Sequence, residues 1–474
     1  MKKFLLLVFA VSVCQTISAR PQAAVPFSVE ATENVGGEFP GAPRLQSFSF
    51  AQWKGRWVFV GGRIGGYHAV GGGSAEFLRA DSNPEVWVVD TTVRPAQTYH
   101  AGVSQLPESL RLVGAQWAST GQLYFQDGEQ LYICGGYGQD PDNNWVTFDV
   151  ISRVNLPALI QGVMHGRIPA ESISFTRSPL VQSAGGGLVR LADGYFYLVM
   201  GHSFQGSYTA FEGRGEKNSA QASQTYLDEI RKLSFQSKPD GGISVALVQK
   251  FRDEAEFHRR DLNVVPVLSP SGLGLAAYGG VFTPETQLNF SKPVYLVPGS
   301  LPSVDQSFDQ KMNAYQSAVL LLYSKTAKTM YTTFFGGISR FSWDASEQAF
   351  QENPIIGSKT EAKYMDGLQW SDQISTIQKT QSGTTEMVHS SPLPAFLGTD
   401  AVFIPIPELE RASPNTDILA LDSFKDKRTL VGYIYGGIRA YPYEFPYLKT
   451  STPHASGSVP SEPSGMILKV YVTH

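Results

Sequence analysis

Six times along the chain a short apolar run ends on a pair of glycines or a near copy of one. The runs are Trp57-Val-Phe-Val-Gly61-Gly62, Leu131-Tyr-Ile-Cys-Gly135-Gly136, Tyr195-Phe-Tyr-Leu-Val-Met-Gly201-His202, Leu275-Ala-Ala-Tyr-Gly279-Gly280, Tyr331-Thr-Thr-Phe-Phe-Gly336-Gly337 and Val431-Gly-Tyr-Ile-Tyr-Gly436-Gly437. A strand-like run that stops on glycine at recurring intervals marks a repeat architecture. Glycine is needed where a strand ends with φ > 0, or where a neighbouring backbone comes too close for a Cβ.

Each run sits in the same context. An apolar strand precedes it: Leu45–Phe50, Gly121–Phe125, Leu180–Val189, Leu262–Leu268, Ser317–Tyr323 and Ala401–Pro405. Tight turns such as Lys54-Gly55, Asp127-Gly128 and Asp193-Gly194 lead into the run itself. After a loop, a third strand alternates with period 2: Glu85–Asp90, Asn144–Asp149, Asp228–Leu233, Pro293–Val297, Asp372–Ile377 and Met466–Val472. A fourth is readable in some copies, as in Gly242–Gln249. Short strands, turn signals, no helical periodicity and a spacing of about 75 residues spell four-stranded blades in an all-β chain. The last repeat stops at its third strand, and the first is preceded by an orphan strand, Phe27–Thr32, which resembles Ile243–Val248. The expectation is one six-bladed β-propeller over residues 20–474, its ring closed by the N-terminal strand completing the C-terminal blade.

An apolar strand, a double glycine and then a Trp or Tyr on the next strand resembles the kelch repeat. Its best copies are Val60-Gly61-Gly62 with Trp87 and Cys134-Gly135-Gly136 with Trp145. The third copy departs, with His202 at the second glycine. The resemblance covers essentially the whole chain after the leader. Kelch propellers include the central domain of galactose oxidase and bacterial periplasmic sialic acid mutarotases, so it implies the fold and leaves function open.

Residues 1–19 read as a secretory signal peptide: Lys2-Lys3, an apolar stretch from Phe4 to Val13, and Ile17-Ser-Ala19 before Arg20. A lipoprotein signal acylated on Cys14 ranks lower, because Val13 stands where a small residue is wanted. The expected location is therefore secreted or periplasmic, without a transmembrane segment. Cys14 and Cys134 are the only cysteines, so cleavage leaves no disulfide and the core must carry stability. Loss of Lys2 and Lys3 takes the formal charge from −4 to −6, which argues against nucleic acid as a partner. A monomer is expected.

Antiparallel order puts the loops after the glycine pairs on one face. They are long: 63–84, 202–224, 338–368 and 438–465. Long loops on a rigid scaffold commonly carry function. These hold Tyr67, His68, Tyr208, Phe211, Phe341, Trp343, Tyr441, Tyr443 and Tyr447, with Phe290 nearby, rings suited either to stacking on sugars or to packing on each other. Arg63, Arg340 and Arg439 fall within three residues of their glycines, and Arg44, Arg177 and Arg260 just before predicted first strands. Guanidinium forks converging on the axis would bind carboxylate or sulfate; the bland alternative pairs each with a local acid, as Asp261 beside Arg260. His202, His258 and His389 could reach one channel, although a lone histidine is more often structural. Metal signatures are absent, Cys134 reads as a small buried thiol, and no nucleophile or cofactor is assigned.

The candidate binding residues are thus Arg63, His68, Arg177, His202, Arg260, Arg340 and Arg439. The leading reading is an exported propeller that binds an acidic carbohydrate, with isomerisation or cleavage as its catalytic extension. The alternative is a non-catalytic module that holds a protein or a cell-surface glycan.

Overall fold

The computed structural model describes residues 25–34, 36–67, 77–208, 222–239, 241–356, 365–441 and 460–474. The signal-peptide reading, His68, Phe211, Tyr443 and Tyr447 lie outside them. Among the described residues no helix is long and apolar enough to cross a membrane.

Each glycine-terminated run forms the second strand of an antiparallel sheet. Blade 1 holds Ser49–Trp53, Arg56–Val60, Glu85–Asp90 and Gln97–Gly102, and blade 2 holds Leu123–Asp127, Gln130–Cys134, Val150–Asn155 and Ile173–Arg177. Blade 3 holds Gly187–Arg190, Phe196–Val199, Glu229–Ser237 and Ile243–Arg252. Blade 4 holds Arg260–Ser269, Gly272–Val281, Val294–Leu296 and Ser303–Val304. Blade 5 holds Ala318–Ser324, Thr329–Ser339, Gln369–Lys379 and Thr384–Val388, with Leu419–Ala420 added in parallel to its first strand. Blade 6 holds Ala401–Pro405, Arg428–Gly436, Ile467–Thr473 and, as its fourth strand, the N-terminal Ser28–Glu33. That closure runs antiparallel from Ser28 opposite Thr473 to Glu33 opposite Leu468. The chain is a six-bladed all-β propeller.

The core is divided among the seams. Separate apolar clusters join blades 1 and 2, 2 and 3, 3 and 4, 4 and 5, 5 and 6, and 6 and 1. A second strand is therefore covered on both faces and reads as a continuous apolar run, as in the wholly buried Thr329–Ser339.

The glycine pairs link the blades. Both members take positive φ, for example +61° and +90° at Gly135 and Gly136, and +69° and +80° at Gly436 and Gly437. The second member then donates its N–H across the seam: Gly62 to Ser119 O (2.8 Å), Gly136 to Ser183 O (2.9 Å), Gly201 to Arg259 O (2.9 Å), Gly280 to Ala314 O (2.7 Å), Gly337 to Leu397 O (2.7 Å) and Gly437 to Leu45 O (2.8 Å). This glycine-pair seam repeats at every blade. The third copy shifts by one from its reading in the sequence. Met200 and Gly201 carry the positive φ, +58° and +89°, and His202 lies one residue beyond the pair.

A few residues past each acceptor, the lead-in residues to the first strands form a second set of bonds around the axis. Gly185 N–H donates to Gly121 O (3.0 Å), Asp261 to Gly185 O (2.7 Å), Gln316 to Asp261 O (2.8 Å), Asp400 to Gln316 O (3.0 Å) and Ser47 to Asp400 O (3.3 Å). Because Ser49 pairs with Val60, this ring stands at the same end as the glycine pairs.

Three elements differ most from the sequence reading. Trp145–Thr147, expected within the third strand of blade 2, leaves the blade and joins Tyr137–Gln139, His202–Gln205 and Ser223–Tyr226 in a small capping sheet; Val150–Asn155 takes its place. Two short helices, Arg111–Trp117 and Leu156–Met164, also form where no helical period was read. The second starts on Asn155, whose side chain accepts the Ala158 N–H, and packs Leu156, Leu159, Ile160 and Val163 into the seam between blades 1 and 2.

Candidate functional site

A cavity of about 90 Å³ lies at the mouth of the ring. Ser47, Gly121, Gly185, Asp261 and Asp400 of the hydrogen-bonded ring line it, together with Gln46, Arg63, Tyr67, Phe77, Tyr137, His202, Phe204, Tyr208, Arg260 and Tyr315.

Two guanidinium groups are buried here. Arg63, 5 % exposed, donates through Nη2 to Asp81 Oδ2 (3.1 Å), and its Cζ lies 4.3 Å from the Phe77 ring. Burial pulls its pKa below the usual arginine value, against the pull of Asp81. Arg260, 8 % exposed, donates through Nη2 to Tyr208 Oη (3.0 Å), with its Cζ 4.7 Å from the Phe282 ring. Its Nε is 3.5 Å from Asp261 Oδ2 but makes no hydrogen bond, so one buried donor is left over. A buried N–H without a partner is costly and marks a place where an acceptor would be held tightly.

The acids are unequal. Arg63 has Asp81 and Arg260 has Asp261, whereas Asp400 makes no ion pair among the described residues. Asp400 keeps some contact with solvent while protein surrounds it densely. Burial, and then the charge of Asp261, push its carboxyl up to about 7, against a hydrogen bond from Ser47 and the pull of Arg63. His202 is 6 % exposed and receives the Gln224 amide at Nδ1 (2.7 Å), which leaves its ring hydrogen on Nε2. Burial, aided by the charge of Arg260, holds its pKa well below the ordinary histidine value. It is a neutral group with one N–H. Tyr67 and Tyr315 meet hydroxyl to hydroxyl at 3.0 Å on the far wall.

Of the candidate binding residues read from the sequence, Arg63, His202 and Arg260 come together in this cavity, with the loop rings Tyr67 and Tyr208. Arg177 does not. It lies on the outermost strand of blade 2, exposed, with Nε 3.0 and 3.1 Å from the Asp149 carboxylate. The displaced Trp145–Thr147 accounts for this: with the third strand read one segment early, the fourth strand was taken for the approach to blade 3. Arg340 is buried against its own hairpin, bonded to Glu352 (2.6 Å) and to the carbonyls of Asn353 and Gly367. Ile438 faces the cavity, so its neighbour Arg439 projects from the other side of the strand, over the Tyr441 ring (4.8 Å). Arg44 is exposed, 4.0 Å from Glu462. His258 pairs with Asp228 (2.8 Å) and stacks on Tyr226 (3.8 Å). His389 is buried in the closure of blade 6, bonded to Thr376 and to the Val29 N–H. Cys134 is fully buried, which pushes its thiol up and out of reactive range. Among the described residues no cluster of three or more His, Cys, Asp or Glu is placed to hold a metal ion.

The residue missed in the sequence is Asp400. Its signal was positional: it directly precedes the first strand of blade 6, the counterpart of Asp261 in the ring. A larger cleft, about 240 Å³, opens at the opposite end between blades 1 and 6. There Trp57 is already stacked by Phe39 (5.0 Å), and Glu38 is held by Lys469 (2.8 Å) and Arg94 (3.8 Å).

The chain matches no protein-family profile and no curated protein sequence. Among solved structures, one reported as the structure of YjhT aligns over 85 % of this chain and 97 % of its own, with 12 % identity and a TM-score of 0.45. The six-bladed propeller fold rests on the blades and seams themselves.

Proposed function

We propose that this propeller binds an acidic carbohydrate, with the anionic group of the sugar seated in the mouth cavity against Arg63 and Arg260. The observation that carries this is the buried Arg260 Nε–H without an acceptor, in a cavity walled by Tyr67, Phe77, Phe204, Tyr208 and Tyr315. About 90 Å³ corresponds to roughly three water molecules, enough for a carboxylate and its neighbouring atoms but not for a whole pyranose. The sugar ring therefore sits outward of the cavity, on the loop face. Asp261 accepts hydroxyl donors and His202 offers one N–H. Proton transfer in any isomerisation or cleavage at this site falls to Asp400 or Asp261, since the Gln224 amide occupies the His202 lone pair and burial keeps the ring from taking a second proton.

The test is a binding screen of neutral, uronate, sialate and sulfated oligosaccharides. A charge-assisted hydrogen bond contributes about 1.5–3 kcal/mol, so Arg260→Ala is expected to weaken binding roughly tenfold or more. Arg177→Ala and Arg340→Ala remove arginines already paired elsewhere and are expected to leave affinity unchanged. A preference for neutral sugars, or equal affinity in wild type and Arg260→Ala, would refute the site.

A further inference from the structure

We propose that Asp400 is the selectivity element of the mouth cavity, binding an anionic ligand only together with a proton. The proposal rests on the acidic-carbohydrate reading and adds how the site discriminates.

The argument begins with counting charge in an enclosed space. Arg63 is balanced by Asp81 and Arg260 by Asp261, so an ionised Asp400 is one negative charge in excess. A ligand carboxylate would add a second inside the same cavity. Like charges in a low-dielectric site repel strongly, and two carboxyl groups there share a proton rather than ionise together. Protonated, Asp400 changes from a repelling acceptor into an O–H donor to the incoming carboxylate.

Of the groups around Asp400, only Asp261 is a second carboxyl that could take that proton, and it stands 3.5 Å from the Arg260 guanidinium. Ser47 from blade 1 bonds to its side chain, and Arg63 and Asp261 act on it through their charges. Across the cavity, Arg260 is a permanent cation and His202 is held neutral by burial. Tyr67 and Tyr315 are hydrogen-bonded to one another, and Tyr137 donates to Gly206 O (2.7 Å). Tyr208 Oη is occupied by Arg260. The position of Asp400 is also fixed, because its backbone N–H and C=O both belong to the axial ring. The carboxyl titrates at about 7, so the proton is available near neutrality and scarce in alkali.

The sign follows. Below about pH 7 Asp400 is neutral and the ligand enters a balanced cavity. Above it, each pH unit makes the required proton tenfold scarcer, and affinity for an anion falls toward tenfold per unit. A neutral sugar shows no such loss.

The experiment is calorimetric titration with glucuronate, and with glucose as the neutral control, between about pH 5.5 and about pH 8.5. Running each pH in two buffers of different ionisation enthalpy counts the protons taken up. Expected is uptake approaching one proton per glucuronate at the alkaline end, with falling affinity. Asp400→Asn should bind glucuronate with pH-independent affinity and no uptake. Constant wild-type affinity without uptake would overturn the proposal and leave the arginine site standing. Uptake that persists in Asp400→Asn would also overturn it, moving the proton to another group. Binding of glucose but not glucuronate at every pH would refute the acidic-sugar reading and this proposal with it. The proton count on wild type needs no variant, so the test survives a misfolded Asp400→Asn.

Discussion

A Cβ added at Gly135 would lie 1.9 Å from the Ser183 carbonyl oxygen, in a residue whose φ is +61°. Gly128 has nearly the same φ, +58°, yet a Cβ there would meet nothing within 4 Å. The two positions separate the conformational need for glycine from the steric one. Gly128→Ala is expected to cost about 1–2 kcal/mol, the ordinary penalty of a left-handed residue. Gly135→Ala adds a clash with the backbone of the next blade and is expected to cost clearly more, by urea unfolding of both variants. Equal losses would show that the seam does not depend on close approach. Met200 accepts a φ of +58° without being glycine because its fully buried side chain belongs to the seam between blades 3 and 4. Burial of that side chain outweighs a strain of about 1–2 kcal/mol. The same substitution hid the register of the third repeat, since the sequence shows only one glycine there.

At the scale of the element, the closing strand Ser28–Glu33 pairs with Leu468–Thr473, far away in sequence. Removing residues 27–32 uncovers the third strand of blade 6 and takes Phe27, Val29 and Ala31 from the core. The variant should melt at a sharply lower temperature, and an unchanged melting temperature would sink the closure. His389 ties this strand to blade 5, since Val29 N–H donates to its Nδ1 (3.3 Å). Burial pulls His389 down from 6.5 to about 4, so the native state resists protonation that the unfolded chain accepts. With the folded pKa depressed, the contribution is complete above pH 6.5 and is lost as pH falls toward 4. The loss is up to about 3 kcal/mol, which His389→Asn should remove from the acid limb of a stability–pH curve. A variant as acid-sensitive as wild type would show that His389 is not the group responsible. The capping sheet shows where elements were misread. Trp145–Thr147 carries a strand's alternation, but its partner His202–Gln205 follows the second strand of the next blade, and nothing local marks that pairing.

For the whole molecule, six apolar seams and two sets of backbone bonds around the axis place the load near the centre. The amides of Gly62, Gly136, Gly280, Gly337 and Gly437, and those of Asp261, Gln316 and Asp400 in the ring, can lose protection only if neighbouring blades part. Hydrogen exchange should place them among the slowest in the protein, at the global unfolding free energy. Fast exchange at these positions, with slow exchange in the outer strands, would show that the blades are held by something else. The number of blades, their second strands and the closing strand were legible in the chain, because burial on both faces writes continuous apolar runs and a seam demands glycine at fixed places. That Arg63 and Arg260 sit on the axial face was legible too, from their distance to those glycines and to the first strands. Which arginines stay unsatisfied was not. Arg177, Arg260 and Arg340 look alike in sequence, and only the fold put Asp149 and Glu352 beside two of them and left a donor over on the third. Position before the first strand of blade 6 marked Asp400 for the ring but not its chemistry: its carboxyl becomes a proton carrier only once the ring brings Asp261 near it and limits its contact with water, and both effects depend on three-dimensional enclosure rather than on neighbours along the chain.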